Sequence, residues 1–203
     1  MITVNMSALF GDDTEQIVKG ITEATKNLVA YRNHPNTTKN MLLELGDDIC
    51  TICNFWTGNT YVGSPKSDAI KNAFQLFFEE LMQLLLVMKN SYKAFEANVA
   101  NEMLYRGKVY RYLGNSCLTE GTVTPIYDNI YVSWSTEPTN YYIESKLYGN
   151  ITWLACEISA PLYGINLDAI ECSRANEHEI VFPTIEKCIT EIKYISEDDD
   201  DET

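Results

Sequence analysis

A chain of 203 residues, of which 45% are hydrophobic and 22% charged, has the composition of a folded protein with a hydrophobic core. This composition excludes an intrinsically disordered, collagen-like or low-complexity protein. The 29 acidic residues outnumber the 15 basic ones, and the net charge of −14 disfavours nucleic acid as the main partner, because phosphate binding requires lysine and arginine. Six negative charges stand in the run 197–202, so we expect 196–203 to form a disordered acidic tail.

The first hundred residues carry apolar side chains at helical spacing, which predicts three helices. Capping residues, prolines and a glycine mark their ends. The third helix is apolar almost all round, and we therefore expect it to be the central, buried one. The predicted helices run from Asp13 or Thr14 to the residue before His34–Pro35, from Asn36–Thr38 to Gly58, and from Ser64–Pro65 to Met88.

After residue 100 short runs of aromatic and β-branched residues predict five strands, at 104–113, 130–135, 151–158, 179–182 and 188–195. The intervals between them are too short for helical crossovers, except at 139–147. We therefore expect a mixed, mostly antiparallel sheet beside the helices, which is an α+β fold. No linker separates the halves, so we expect a single domain over 1–195, with a helical part (1–100) and a β-rich part (101–195).

The sequence predicts a cytoplasmic protein with reduced thiols and no membrane partner. The first residues lack the basic and apolar regions of a signal peptide, and polar residues interrupt the most apolar segment, 74–88. Cys50 and Cys53 form a lone CxxC without a second pair of ligands. Buried structural thiols are therefore the preferred interpretation over zinc binding or redox chemistry, and we expect no metal.

Three sequence features are left as candidates for chemistry, because phosphate-binding loops, dinucleotide motifs and nucleophile elbows are absent and the chain has only two histidines. The first feature is Arg106 followed by Gly107, inside the first predicted strand. A guanidinium there can donate to phosphate or ribose oxygens, and the glycine lets a ligand approach the backbone. The alternative is an ordinary exposed arginine.

The second feature is the pair Ser133 and Ser135 in the second predicted strand. Residues two apart in a strand point to the same face, so the two hydroxyls can hold a polar group while Trp134 packs on the other side. The alternative is ordinary polarity at the end of a strand.

The third feature is the pair Glu177 and Glu179, which leads into the strand 179–182. Strand alternation would place both carboxylates on one face and direct them to one cavity. Paired carboxylates cleave glycosidic bonds through an oxocarbenium-like transition state, although two like charges this close need a compensating cation or water. The alternative is two acids that face solvent.

In this order, the arginine, the S-x-S and the E-x-E resemble the R-S-E class of mono-ADP-ribosyltransferases, an α+β fold with helices before the arginine strand. The resemblance covers about residues 100–195. Trp134 stands where threonine is common, and the segment 139–144 lacks the small and aromatic residues usual there. The matching segments are Tyr105–Gly107, Val132–Pro138, Tyr163–Leu167 and Asn176–Pro183.

The resemblance implies NAD⁺ as the substrate and assigns the catalytic part to 101–195. Arg106 would bind the pyrophosphate or a ribose oxygen, and backbone groups of Gly107 would hold the carboxamide. Ser133 would support Glu179 by a hydrogen bond, and Ser135 would shape the pocket for the nicotinamide ribose. Glu179, as an ionised carboxylate, would bind the ribose 2′-hydroxyl and stabilise the developing cation. Arg111 lies in the same predicted strand as Arg106 and is the alternative NAD⁺-binding arginine.

The resemblance also suggests the acceptor. Glu177 at its position goes with arginine acceptors, whose guanidinium it would orient, and the loop Asp168–Asn176 would meet the target. An acidic enzyme suits a basic target protein with an accessible arginine. Two other functions stay open: an NAD⁺ glycohydrolase, with water as acceptor, and a non-catalytic acidic interaction protein that imitates nucleic acid. The sequence leaves the biological setting open, whether toxin, viral effector or housekeeping enzyme.

Overall fold

The computed structural model of the chain describes residues 14–33, 49, 52–53, 68–114, 131–138, 151–170 and 178–195. Within these residues three helices precede seven strands, and the predicted α+β class is confirmed. The helices are α1 (Thr14–Asn33), α2 (Asp68–Lys89) and α3 (Ala94–Met103). The strands are β1 (Leu104–Tyr105), β2 (Gly107–Gly114), β3 (Tyr131–Ser135), β4 (Ile151–Ile158), β5 (Gly164–Asn166), β6 (Glu179–Pro183) and β7 (Ile189–Ile195).

The predicted helices agree with the structure wherever it describes them. Helix α1 ends at Asn33, directly before the His34–Pro35 pair, because the residue before a proline is disfavoured in helical conformation. Most of the second predicted helix and the Ser64–Pro65 start of the third lie outside the described residues, although Ile49, Ile52 and Cys53 are helical and buried. No membrane could be spanned by any helix in the described ranges, since none is both long and apolar enough.

Helix α3 is absent from the sequence prediction. Its buried residues are Glu96, Ala100 and Met103, so a glutamate interrupts the apolar stripe that would have indicated a helix. Lys93, at its N-cap, makes no side-chain cap hydrogen bond. Glu96 instead accepts hydrogen bonds from Ser91 Oγ (2.7 Å) and Lys93 Nζ (3.4 Å), which makes it a buried structural acid.

Helix α2 forms the centre of a hydrophobic core that joins the helices to one face of the sheet. Phe74, Phe77 and Phe78 are fully buried in it. Burial of each such side chain contributes about 1.5–3 kcal/mol to the free energy of unfolding. The Phe78 ring stacks on Tyr131 of β3, with centroids 5.4 Å apart. The same core contains the buried face of α1 and, from the sheet side, Tyr131, Ile165, Leu167 and Val181.

All described strand pairs are antiparallel, in the order β1-β5-β6-β3-β2-β4-β7. Strands β1 and β2 are separated by one residue in the chain and by three strands in the sheet. A flat sheet would place them about 19 Å apart, whereas two residues of extended chain span about 7 Å. The sheet therefore curls, and the chain turns the corner at Arg106 and Gly107.

The opposite face of the sheet packs into a second cluster. It contains Trp134, whose indole N–H donates to Thr184 Oγ1 at 3.0 Å. Because strand residues alternate, Trp134 lies on this face and Ser133 and Ser135 lie on the face that the helices cover. The packing of Trp134 predicted from the sequence is confirmed. Other members of the cluster are Val109, Val132, Leu154, Cys156, Ile158, Ile180, Phe182 and Cys188.

The close packing around β5 yields a stability prediction at Gly164. A Cβ atom there would lie 2.5 Å from Ile180 Cγ2 and 3.1 Å from Ile158 Cδ1. We expect Gly164→Ala to lower the free energy of unfolding by about 1–3 kcal/mol, since the buried isoleucines have little room to move. Urea unfolding measures this, with Ser159→Ala in the exposed turn after β4 as the control. An unchanged midpoint for Gly164→Ala would contradict the packing.

Candidate functional site

The pairing of β3 with β6 brings two of the predicted site residues into direct contact. In the register, Ser135 lies opposite Glu179 and Ser133 lies opposite Val181, so Ser133 is the diagonal neighbour of Glu179. The Ser133 hydroxyl donates a hydrogen bond to Glu179 Oε1. This hydrogen bond, which the resemblance implies, is therefore present.

Glu179 is the first residue of β6, and only 1% of its surface is exposed. Burying an ionised carboxylate is costly unless donors compensate for the lost water, and Ser133 supplies one such donor. Glu96 and Thr184 are the other buried polar side chains among the described residues, and both have structural hydrogen bonds at element ends. Glu179 differs because it lies on the helix-facing side of the sheet, held in one orientation by a serine motif.

Cys53 lies close to this carboxylate. Its thiol is fully buried, and burial, together with the negative charge of Glu179, raises its pKa well above the ordinary value. A thiol with a raised pKa stays protonated at neutral pH and is a poor nucleophile and metal ligand. The structural interpretation of Cys53 is therefore favoured, whereas Cys50, its partner in the CxxC, lies outside the described residues.

The end of β3 is tied to the residue before β6 by its backbone. The Thr136 N–H donates to the His178 carbonyl at 3.1 Å. The Ser135 hydroxyl accepts a hydrogen bond from the Glu137 N–H at 3.1 Å, which closes a turn directly after the strand. Ser135 thus lies beside the Ser133–Glu179 pair and shapes the chain where β3 ends.

Arg106 lies at the corner between β1 and β2 and not inside a continuous strand, so the sequence prediction is wrong on this point. Its exposed side chain donates from Nε to the Leu162 carbonyl at 3.0 Å, and its guanidinium carbon lies 3.8 Å from the centre of the Tyr163 ring. Both contacts are with the chain before β5 and not with Ser133 or Glu179. The tertiary structure thus holds the Arg106 guanidinium over the Tyr163 ring, where the sheet curls.

Lys89, at the end of α2, is a second cation that contacts the Tyr163 ring. Its ammonium donates to the Tyr163 hydroxyl and lies 4.7 Å from the ring centre. The hydrogen bond from Lys89 and the charge of Arg106 lower the pKa of Tyr163. Sequence reasoning missed Lys89 and gave Tyr163 no role of its own, because the two residues are 74 positions apart and only the tertiary structure brings them together. Two cations here favour an anionic ligand.

The backbone at the corner between β1 and β2 requires a glycine at position 107. Its φ is +138°, a conformation that side chains disfavour, and an added Cβ would lie 2.9 Å from the Tyr105 hydroxyl oxygen. The Tyr105 hydroxyl also donates to the Lys108 carbonyl at 3.0 Å, across the corner. Tyr105 thus fills the space that a Cβ at position 107 would occupy, so the corner itself requires the glycine.

Arg111, the alternative arginine, has a different environment. It is half-buried in β2, and its Nη1 donates to the backbone carbonyl of Ser133. This contact supports the strand that carries the serine motif. Of the two arginines, Arg106 is the exposed one.

The third motif follows strand geometry only from Glu179 onward. Strand β6 begins at Glu179, and the preceding His178 has a left-handed backbone with φ of 45°. The shared face of the two carboxylates therefore stays a prediction. Glu177 lies outside the described residues, as does most of the predicted target loop Asp168–Asn176.

The described parts of the chain contain no group of three histidine, cysteine, aspartate or glutamate side chains that could hold a metal ion. The described residues thus offer a buried carboxylate with a serine hydroxyl and, at the curl of the sheet, a pair of cations on the Tyr163 ring. Comparisons with protein-family models, with curated proteins and with solved structures found no match to this chain.

Proposed function

We propose that this protein is a mono-ADP-ribosyltransferase of the R-S-E type, which transfers ADP-ribose from NAD⁺ to an arginine of a target protein. The observation that carries the proposal is the hydrogen bond from Ser133 to the buried carboxylate of Glu179. A buried acid held by a serine from a neighbouring strand is costly for stability, and such groups are concentrated at functional sites.

In the proposed reaction, the bond between nicotinamide nitrogen and ribose C1′ breaks, and both electrons leave with neutral nicotinamide. A guanidinium nitrogen of the acceptor forms the new bond to C1′ and releases one proton to solvent. Positive charge develops on the ribose in between, as in other glycosidic cleavages. Glu179 opposes that charge with a fixed carboxylate, and the fixed orientation lowers the barrier because no reorganisation is needed.

The two cations at the curl of the sheet suit the other part of NAD⁺. Arg106 and Lys89 both contact Tyr163, and a diphosphate carries the negative charge that such a pair attracts. Arg106 is the residue for the diphosphate or an adjoining ribose oxygen, with Lys89 as a second cation. Backbone groups of Gly107 would hold the carboxamide, and Ser135 would border the nicotinamide ribose.

The assignment of the acceptor and of the target protein rests on the sequence. Glu177 would orient the acceptor guanidinium, and the loop Asp168–Asn176 would meet the target. The net charge of −14 favours a basic target, since opposite potentials raise encounter rates.

The test is incubation of the protein with NAD⁺ labelled in the adenylate, with agmatine or a basic protein mixture as acceptor. We expect nicotinamide release together with labelled agmatine or labelled protein. Nicotinamide release without any labelled acceptor would instead identify an NAD⁺ glycohydrolase. Unchanged NAD⁺ in every mixture would overturn both enzymatic functions and favour the acidic interaction protein.

Removal of the Ser133 hydroxyl tests the role of its hydrogen bond to Glu179 directly. We expect Ser133→Ala to lower the rate of nicotinamide release about 10- to 100-fold, since a hydrogen bond to a charged group contributes about 1.5–3 kcal/mol. The rate is followed by chromatography of nicotinamide under saturating NAD⁺. Ser159→Ala, outside the site, serves as the matched control, and a Ser133→Ala variant as fast as wild type would contradict the role of the hydroxyl.

A further inference from the structure

Lys89 and Arg106 hold two positive charges against one aromatic ring. The Lys89 ammonium lies 4.7 Å, and the Arg106 guanidinium carbon 3.8 Å, from the centre of the Tyr163 ring. The two charges therefore lie within about 10 Å of each other, the distance over which salt at about 0.1 M screens charges. Like charges this close repel each other, so the arrangement is unfavourable until a negative group joins it.

No carboxylate in the described part of the chain forms an ion pair with either of these two cations. Arg32, Lys93 and Lys193 show the contrast, since each of them pairs with a glutamate. Lys193 also lies 4.7 Å from a ring centre, that of Trp153, but Glu191 Oε1 is 2.8 Å from its ammonium. In a protein with a net charge of −14, two cations that no described acid neutralises indicate a site for an anion.

The pairing of β1 with β5 brings Arg106 to this ring. Tyr105 lies opposite Gly164 in the pair, and one residue further the chain brings Arg106 beside Tyr163. Arg106 Nε donates to the Leu162 carbonyl at 3.0 Å, which fixes the plane of the guanidinium. Within the described ranges its Nη groups donate to no other residue, and such a fork of donors matches phosphate oxygens.

Tyr163 holds the two cations with different parts of its side chain. The face of the ring takes the Arg106 guanidinium, whereas the hydroxyl oxygen accepts a hydrogen bond from the Lys89 ammonium. An ammonium has three N–H donors, and this bond uses one of them. Stability alone accounts poorly for the arrangement, because Arg106 is exposed and the two charges oppose each other.

We propose that Tyr163 is the positioning residue of a diphosphate site, in which its ring orients Arg106 and its hydroxyl orients Lys89. The site prefers a diphosphate, whose two groups can each take one cation, to a single phosphate. This inference deepens the proposed function and rests on it for NAD⁺ as the source of the diphosphate. The binding of a diphosphate as such does not require that NAD⁺ be cleaved.

Two substitutions separate the hydroxyl of Tyr163 from its ring. Tyr163→Phe keeps the ring that Arg106 contacts and removes the oxygen that holds Lys89. We expect it to raise the Kd for inorganic pyrophosphate about three- to tenfold, as for one lost hydrogen bond. Tyr163→Leu removes both contacts, and we expect a rise of about 10- to 100-fold.

Removal of the second cation tests the preference for a diphosphate. We expect Lys89→Met to raise the Kd for inorganic pyrophosphate about tenfold or more and the Kd for inorganic phosphate by less. Lys193→Met is the matched control, because it makes the same change at another lysine that lies 4.7 Å from a ring centre. Both Kd values should stay unchanged in this control.

The measurement is titration calorimetry of each variant with inorganic pyrophosphate and with inorganic phosphate, in metal-free buffer at low salt. Urea unfolding of each variant serves as the folding control. With NAD⁺ as substrate, Tyr163→Phe should raise the KM by the same factor as the Kd for pyrophosphate, with a smaller effect on kcat.

The outcomes distinguish this site from the proposed function. A Kd for pyrophosphate that is the same in wild type and in Lys89→Met or Tyr163→Phe would overturn the inference and leave the proposed function intact. Wild-type protein that binds pyrophosphate no better than phosphate would also overturn the inference. Pyrophosphate binding that depends on Tyr163 and Lys89, in a protein that leaves NAD⁺ intact, would support the diphosphate site and overturn the proposed function.

Discussion

Glu179→Gln is expected to lower the rate of NAD⁺ cleavage at least about 100-fold, because removal of one preorganised electrostatic group costs this much in other enzymes. Glutamine has nearly the same size and keeps an oxygen that can accept the Ser133 hydrogen bond. The substitution thus removes the charge and preserves the packing. Both nicotinamide release and label transfer should fall together, and each is measured with adenylate-labelled NAD⁺.

The control for this prediction is Glu157→Gln in β4, where the residue lies opposite Lys108 of β2. It makes the same chemical change outside the serine motif, and we expect an unchanged rate. Urea unfolding should show that Glu179→Gln remains folded, since loss of a buried charge does not leave a cavity. Equal nicotinamide release by wild type and Glu179→Gln would refute the proposed role of the carboxylate.

Arg106→Lys is expected to raise the KM for NAD⁺ about 10- to 100-fold with a smaller effect on kcat. Lysine keeps the positive charge but loses the planar fork of donors that matches phosphate oxygens. One lost charge-assisted hydrogen bond contributes about 1.5–3 kcal/mol, which corresponds to this range of KM. Arg106 is exposed, so its substitution should leave the urea midpoint unchanged.

Arg111→Met provides the contrast, because it decides between the two arginines. Its guanidinium donates to the Ser133 carbonyl, so we expect a loss of stability of about 1–3 kcal/mol in urea. Its KM for NAD⁺ should change less than that of Arg106→Lys. A large rise in KM for Arg111→Met, with none for Arg106→Lys, would reverse the assignment of the NAD⁺-binding arginine.

The sequence predicted elements whose signal lies within the element. Apolar spacing and the His34–Pro35 stop were sufficient for α1, and an almost wholly apolar run was sufficient for α2. Alternation in β3 correctly separated Trp134 from the two serines. These features are local, since one helix or strand buries one stripe or face of its own residues.

The prediction failed where local pattern and tertiary contact disagree. Helix α3 buries Glu96, and β5 is only three residues long, so neither has a clear periodicity. The run 104–113 has the composition of one strand, yet it is broken at Arg106 because the sheet curls there. Directly before β6, His178 has a left-handed backbone that no local pattern indicates.

By itself the sequence determined the α+β class, the buried helix and the residue types available for chemistry. Only the tertiary structure decided which of them meet. Ser133 and Glu179 are 46 residues apart, and they touch because β3 and β6 pair in one register. Arg106 shares the Tyr163 ring with Lys89 because the curled sheet brings its corner to the end of α2. Local propensities act over a few residues, whereas register and curl are set by long-range packing of the whole core.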